Sequence, residues 1–151
     1  SKYFQNWIGA EAQSKTYEDT KVLRTIISNI DIPANEDGNV PSREEFRARL
    51  YDLCTKTYSK EISLRSISED VWKDPNYISN YASNNGIIIN DMFEADTTEL
   101  KKMKKYSISG DNIKLDFPPD YFGKKIYFAP DNDDTIIIKS KTFADKLKAE
   151  Q

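Results

Sequence analysis

Hydrophobic residues in this chain recur at two different periods, and the change comes late. Through the first hundred residues the apolar positions are spaced for helices. From Ile113 onward they alternate. Ile113, Leu115 and Phe117 alternate with Lys114 and Asp116, Ile126 and Phe128 with Lys125 and Tyr127, and Ile136 and Ile138 with Thr135, Ile137 and Lys139. A period of 3.6 marks one face of a helix and a period of 2 one face of a strand. The pattern predicts an α+β fold: an N-terminal helical region, a small antiparallel β-meander of three or four strands, and a C-terminal helix over Thr142–Lys148 that packs on it through Phe143 and Leu147.

The helical stretch divides into pieces by its start and stop signals. Tyr3, Phe4, Trp7 and Ile8 sit at one-turn spacing before Gly9, predicting a short first helix ended by that glycine. Thr16 and Asp19 offer the start of a second, with Val22, Leu23, Ile26, Ile27 and Ile30 as its apolar stripe. Pro33 and residues 35–39 form a loop. Ser42 followed by Glu45 is a capping-box pattern, and Phe46, Leu50, Leu53, Cys54, Thr57 and Tyr58 then share a face. Leu64, Ile67 and Val71 permit a short helix. Asp74 and Pro75 predict another start, with Tyr77, Ile78 and Tyr81 inward and Asn84, Asn85 and Gly86 closing it. Asp96 and Glu99 mark a last small helix with Leu100 and Met103 inward. Gly110-Asp111 and Asp131–Asp134 are turn signals between strands.

A chain of 151 residues with 38% hydrophobic and 31% charged residues fits one globular domain or two small subdomains sharing a core. Its charge is unevenly spread. Residues 1–100 hold 11 Lys+Arg against 17 Asp+Glu, whereas residues 101–151 hold 11 Lys against 8 Asp+Glu. The expected organisation is an acidic helical region over 1–100 and a basic meander with its terminal helix over 101–151, together one compact unit excised from a longer chain. No signal peptide is visible and no apolar stretch approaches the roughly 20 residues of a membrane span. Cys54 is the only cysteine, so no intrachain disulfide can form.

Catalysis finds little support. The chain has no His, the commonest general base and metal ligand near neutral pH. Cys54 falls on an apolar stripe, which suits a core residue better than a nucleophile. Five dispersed glycines cannot make a phosphate-cradling loop. Asp131, Asp133 and Asp134 form the densest acidic cluster, but the glycine and distal glutamate of a calcium loop are missing, and a hairpin turn explains them better. Glu44, Glu45 and Asp52 lie on a helix with Arg47 and Arg49, a self-compensated solvated face. The expectation is a protein that is not an enzyme and takes no cofactor and no metal.

The lysines carry the binding expectation. If the alternating apolar residues share one buried face, the pleat sends Lys114, Lys125, Tyr127 and Lys139 to the other. Lys101, Lys102, Lys104 and Lys105 lie just before the sheet and Lys124 at its rim. Such a surface can neutralise phosphates, with Tyr127 available to stack on unpaired bases. Every positive charge after residue 100 is Lys, with no Arg to read guanine bidentately, so backbone contact with little sequence preference is expected. On the residues alone the same lysines are better explained as a solvated face that guards strand edges against aggregation, which eight carboxylates share. Trp7, Trp72, Tyr77 and Tyr81 likewise suit either an aromatic-rich core or an interface with a second subunit or partner.

The segments just described carry a resemblance. Leu100–Lys105, Ile113–Phe117, Gly123, Ile126, Pro130, Thr135–Lys139 and Leu147, together with Tyr3-Phe4 and Trp7-Ile8-Gly9, resemble in order and spacing the C-terminal half of the bacterial NdpA/YejK-like nucleoid-associated proteins. Ala10 stands where Cys is usual there, and Pro118-Pro119 replaces a more helical segment. The resemblance implies a cytoplasmic protein of the bacterial nucleoid. The expected function is then a non-enzymatic module binding DNA with low sequence specificity. The alternative is a protein–protein module in which the acidic helical region docks a DNA-handling partner or a second subunit.

Overall fold

The computed structural model describes residues 2–56 and 60–151, with side chains from residue 16 onward. The side chains expected inward at Tyr3, Phe4, Trp7 and Ile8 lie outside the described side chains, and Thr57 and Tyr58 lie outside the described residues. Two compact units follow one another, Ser1–Lys104 and Lys105–Gln151.

The first unit contains α1 (Lys2–Asn29), α2 (Arg43–Thr55), β1 (Glu61–Ser63), α3 (Leu64–Trp72), α4 (Tyr77–Asn84), β2 (Met92–Glu94) and α5 (Thr97–Lys101). Gly9 does not end a helix. The backbone stays helical through it and through Thr16 and Asp19. An interior glycine costs only about 1 kcal/mol against alanine, which a long helix tolerates. Leu23, Ile26, Ile27 and Ile30 form the expected stripe and are fully buried against Phe46, Leu50, Leu64 and Ile78. Arg43 donates from Nη1 to the carbonyls of Ile27 and Ile30 at 3.0 and 2.6 Å, satisfying the orphan acceptors at the end of α1.

Two caps hold as expected. Ser42 Oγ accepts from Glu45 N at 3.1 Å, and Asp96 Oδ1 accepts from Glu99 N at 2.9 Å. Ser42→Ala should lower stability by about 1 kcal/mol in a urea melt; an unchanged midpoint would show that the helix end does not need this bond. Asp74 behaves differently from expectation. Its carboxylate accepts from Asn76 N at 2.9 Å within the turn, and α4 starts only at Tyr77, with no side-chain cap at Asn76. Local bonding by Asp competes with helix initiation here. Gly86 closes α4 at φ +65°. The Ile87–Ile89 run forms no strand. Instead β1 and β2, neither of which has enough length to show a period, pair antiparallel with Ile62 opposite Phe93. Trp72, Tyr77 and Tyr81 are half-buried against the core, Trp72 stacking on Tyr77 at 4.7 Å and donating from Nε1 to Asp31 O at 3.1 Å.

The second unit contains β3 (Tyr106–Gly110), β4 (Ile113–Phe117), a 3-10 turn (Pro119–Tyr121), β5 (Ile126–Ala129), β6 (Asn132–Ile138) and α6 (Lys141–Ala149). The α+β class and the helix-first, helix-last order match the periodicity. The strands form two separate hairpins, β3–β4 and β5–β6, rather than one continuous meander. Asp111 and Asn112, at φ +52° and +61°, make a two-residue turn, so Gly110 belongs to the strand. Positive φ at both central residues gives the twist that tight hairpins need. The second turn is only Pro130-Asp131, and Asp133 and Asp134 lie in β6.

Register confirms the predicted faces and corrects their burial. Ile108 opposes Leu115, Ile126 opposes Ile138 and Phe128 opposes Ile136, so each hairpin has one apolar face. Those faces border an apolar hollow of about 180 Å³ lined by Ile108, Leu115, Phe117, Phe122, Phe128 and Ile136, among others. Only Phe117, 4% exposed, is buried; Ile113 is 63% exposed, and Phe143 and Leu147 of α6 are 54% and 61% exposed. Two short ribbons and one helix have too little surface to enclose a core.

Candidate nucleic-acid interface

The eight lysines singled out by sequence divide between the two units. Lys101, Lys102 and Lys104 belong to the first. Lys102 Nζ lies 2.8 Å from Glu99 Oε1, while Arg24 Nη2 lies 3.0 Å from Oε2. Glu99 is only 2% exposed. Burial alone would raise its carboxyl; the Lys102 hydrogen bond and the Arg24 charge outweigh burial and hold it below the usual glutamate range. Lys102 is therefore a structural cation. Lys104 sits 4.7 Å from the Tyr51 ring and 3.7 Å from Asp52, whereas Lys101 is exposed at the end of α5.

Lys105, Lys114, Lys124, Lys125 and Lys139 belong to the second unit. That unit holds eight Lys against eight Asp+Glu, so the positive excess of residues 101–151 comes from the three lysines of the first unit. Within that unit the basal lysines lie apart from the carboxylates at the turns, though Asp116 and Asp120 stand close to the bases. Lys139 N donates to Lys125 O at 2.7 Å, setting the two residues opposite one another at the base of β5–β6. Lys124 is adjacent. Lys105 precedes Tyr106, which pairs with Phe117 at the base of β3–β4. The acidic residues Asp111, Asp131, Asp133 and Asp134 lie at or beside the turns, at the other ends of the ribbons. Four residues of strand separate base from turn, roughly 13 Å. That exceeds the Debye length of about 10 Å at 0.1 M salt, so the turn carboxylates barely offset the basal ammoniums. Lys114 lies near the turn of its hairpin, 3.9 Å from Asp116, and does not join the basal group.

The basal ends of the two ribbons meet at a groove of about 200 Å³, whose lining includes Leu115, Phe117, Ile126, Ile138, Lys125 and Lys139. Lys125 Nζ rests 4.6 Å from the Tyr121 ring centroid and Lys139 Nζ 5.8 Å from that of Tyr127. An aromatic face holds an ammonium in place without neutralising it. Tyr127 is half-buried and carries Lys139, so it is less free to stack on a base than the alternation suggested. Asp116 also lines this groove. A hydrogen bond from Ser107, followed by the charges of Lys114 and Lys105, keeps its carboxyl below the ordinary aspartate range.

Sequence reasoning missed β3, although Tyr106, Ser107, Ile108 and Ser109 themselves alternate. It also missed Tyr121, since no pattern announces a ring that will lie under a lysine. Cys54 is buried, and burial pushes its thiol up to about 12, which leaves it protonated and unreactive at neutral pH. Among the described residues no three His, Cys, Asp or Glu side chains gather as a metal site, and no helix is long and apolar enough to cross a membrane.

A family model described as nucleoid-associated protein YejK matches residues 1–147. A nucleoid-associated protein of Proteus mirabilis is 26% identical over 143 residues, 92% of this chain and 42% of its own length. Counterparts in a Shewanella species and in Aliivibrio salmonicida are 23% and 22% identical, covering 91% and 92% of this chain and 40% and 41% of theirs. The chain thus spans about two-fifths of the length of the curated relatives it matches.

Proposed function

Because this chain belongs to the YejK nucleoid-associated protein family, we propose that it supplies a non-enzymatic module of the bacterial nucleoid that holds DNA by its phosphates. Lys105, Lys124, Lys125 and Lys139 make the principal contacts. Lys101, Lys104 and Lys114 add weaker ones, since Lys104 and Lys114 are shared with carboxylates, and Lys102 stays on Glu99. The observation that supports this reading is the placement of four exposed lysines at the ribbon bases, away from the acidic turns. Lysine is a hydrated point charge, so the contacts carry little sequence information.

Salt titration tests it. Four phosphates neutralised on a duplex give a slope of about −3.6 in log K against log salt, so a fourfold rise in salt weakens binding by roughly 100-fold. DNA of unrelated sequence should give the same slope. Binding that is absent at low salt, or indifferent to salt, would reject the proposal. A second reading, docking of a partner protein or second subunit by the acidic helical unit, draws on Ile88, which is 93% exposed there. It would be preferred if DNA binding failed at low salt while the chain self-associated or co-purified with a protein.

A further inference from the structure

The basal groove has a feature that phosphate binding leaves unused. Its lining is largely apolar, with Leu115, Phe117, Ile126, Ile138 and Phe143 beside Lys125 and Lys139. DNA backbone needs the ammoniums but has nothing to place on the apolar lining.

We propose that this groove receives a short acidic and apolar segment of a partner protein, seating one bulky apolar side chain between the hairpins and α6 and pairing its flanking carboxylates with Lys125 and Lys139. Size, exposure and charge support it together. A volume of about 200 Å³ accommodates a branched or aromatic side chain, given that a 150 Å³ apolar cavity is enough for benzene. Phe143 and Ile138, at the groove, are 54% and 39% exposed. Lys125 and Lys139 rest on tyrosine rings and form no ion pair with a described carboxylate, so their charge is available to a ligand. The opposing lining carboxylate, Asp116, is already engaged by Ser107 and by Lys114, its ion-pair partner at 3.9 Å. Ser140, the N-cap of the nine-residue α6, also lines the groove, so the positive end of that helix adds to the attraction for carboxylates. Charge complementarity thus favours an acidic segment, and the apolar lining favours an apolar anchor within it.

The test uses the 151-residue chain and a fluorescein-labelled peptide, Asp-Glu-Asp-Leu-Phe-Asp-Glu, read by fluorescence polarisation. Control peptides replace Leu-Phe by Ser-Ser, or every acid by Lys. The acidic apolar peptide should bind at least tenfold tighter than either control, about what burying one large apolar side chain supplies. Phe143→Ser should abolish that margin, while Leu147→Ser, on the same helix but outside the groove, should leave it intact. Lys125→Glu with Lys139→Glu should transfer the preference to the lysine peptide. Equal binding of the three peptides, or a margin indifferent to Phe143→Ser, would overturn the inference. So would loss of self-association on Phe143→Ser without peptide binding, which would give the groove to a second copy of the chain. Phe143 is not among the phosphate contacts, so Phe143→Ser should retain salt-sensitive DNA binding. Failure of the peptide and failure of the DNA module are therefore read separately.

Discussion

Arg24→Met should destabilise the chain by about 3 kcal/mol at neutral pH, the lower end of the cost of breaking a buried ion pair. Glu99 is nearly inaccessible and is neutralised from two sides, by Arg24 at 3.0 Å and Lys102 at 2.8 Å. Removing Arg24 leaves a buried carboxylate with one partner, which is why the lower end applies. The two residues lie 75 positions apart, so their contact ties α1 to α5. The pH dependence identifies the cause. In the parent chain Glu99 titrates below its usual range, so its stabilisation is present above that range and is lost as pH falls through the lowered value. In Arg24→Met the carboxyl rises, protonates earlier on acidification, and then no longer imposes an unpaired charge. Urea melts of the two proteins should therefore converge between pH 7 and pH 4. A constant gap would assign the loss to packing of the arginine stem instead.

Changing Lys105, Lys124, Lys125 and Lys139 together to Gln should remove nearly all salt-sensitive DNA binding and flatten the salt slope by about 3 to 4. Gln keeps a polar stem, and all four residues are exposed, so unfolding midpoints should barely move. Lys102→Gln provides the contrast. It should lower stability through Glu99 and leave the salt slope unchanged, because its ammonium is committed at 2.8 Å. Reversed behaviour, with the quadruple variant retaining its slope, would move the DNA surface away from the ribbon bases.

Much of the fold was legible because its signals are local. The stripe from Leu23 to Ile30, the caps at Ser42 and Asp96, and the alternation of β4 to β6 each follow from spacing within a few residues. Where local reading failed, another local or distant interaction outweighed it. Asp74 bonded its own turn, Gly9 was carried within a long helix, and the three-residue strands β1 and β2 depended on each other across the chain.

The candidate interface was legible only in outline. Sequence alone determined that the alternating apolar residues of each ribbon share one face, since a period of two dictates sides. Tertiary structure decided which lysines are spent. Lys104 meets Asp52 from α2 and Lys102 meets a glutamate that folding buries, whereas Lys125 and Lys139 settle on tyrosine rings that leave their charge unpaired. It also decided that the ribbons' apolar faces would border an open groove rather than a closed core. Periodicity specifies the direction of a side chain, whereas ion pairing and enclosure depend on distances between residues far apart in the chain, and those exist only after folding.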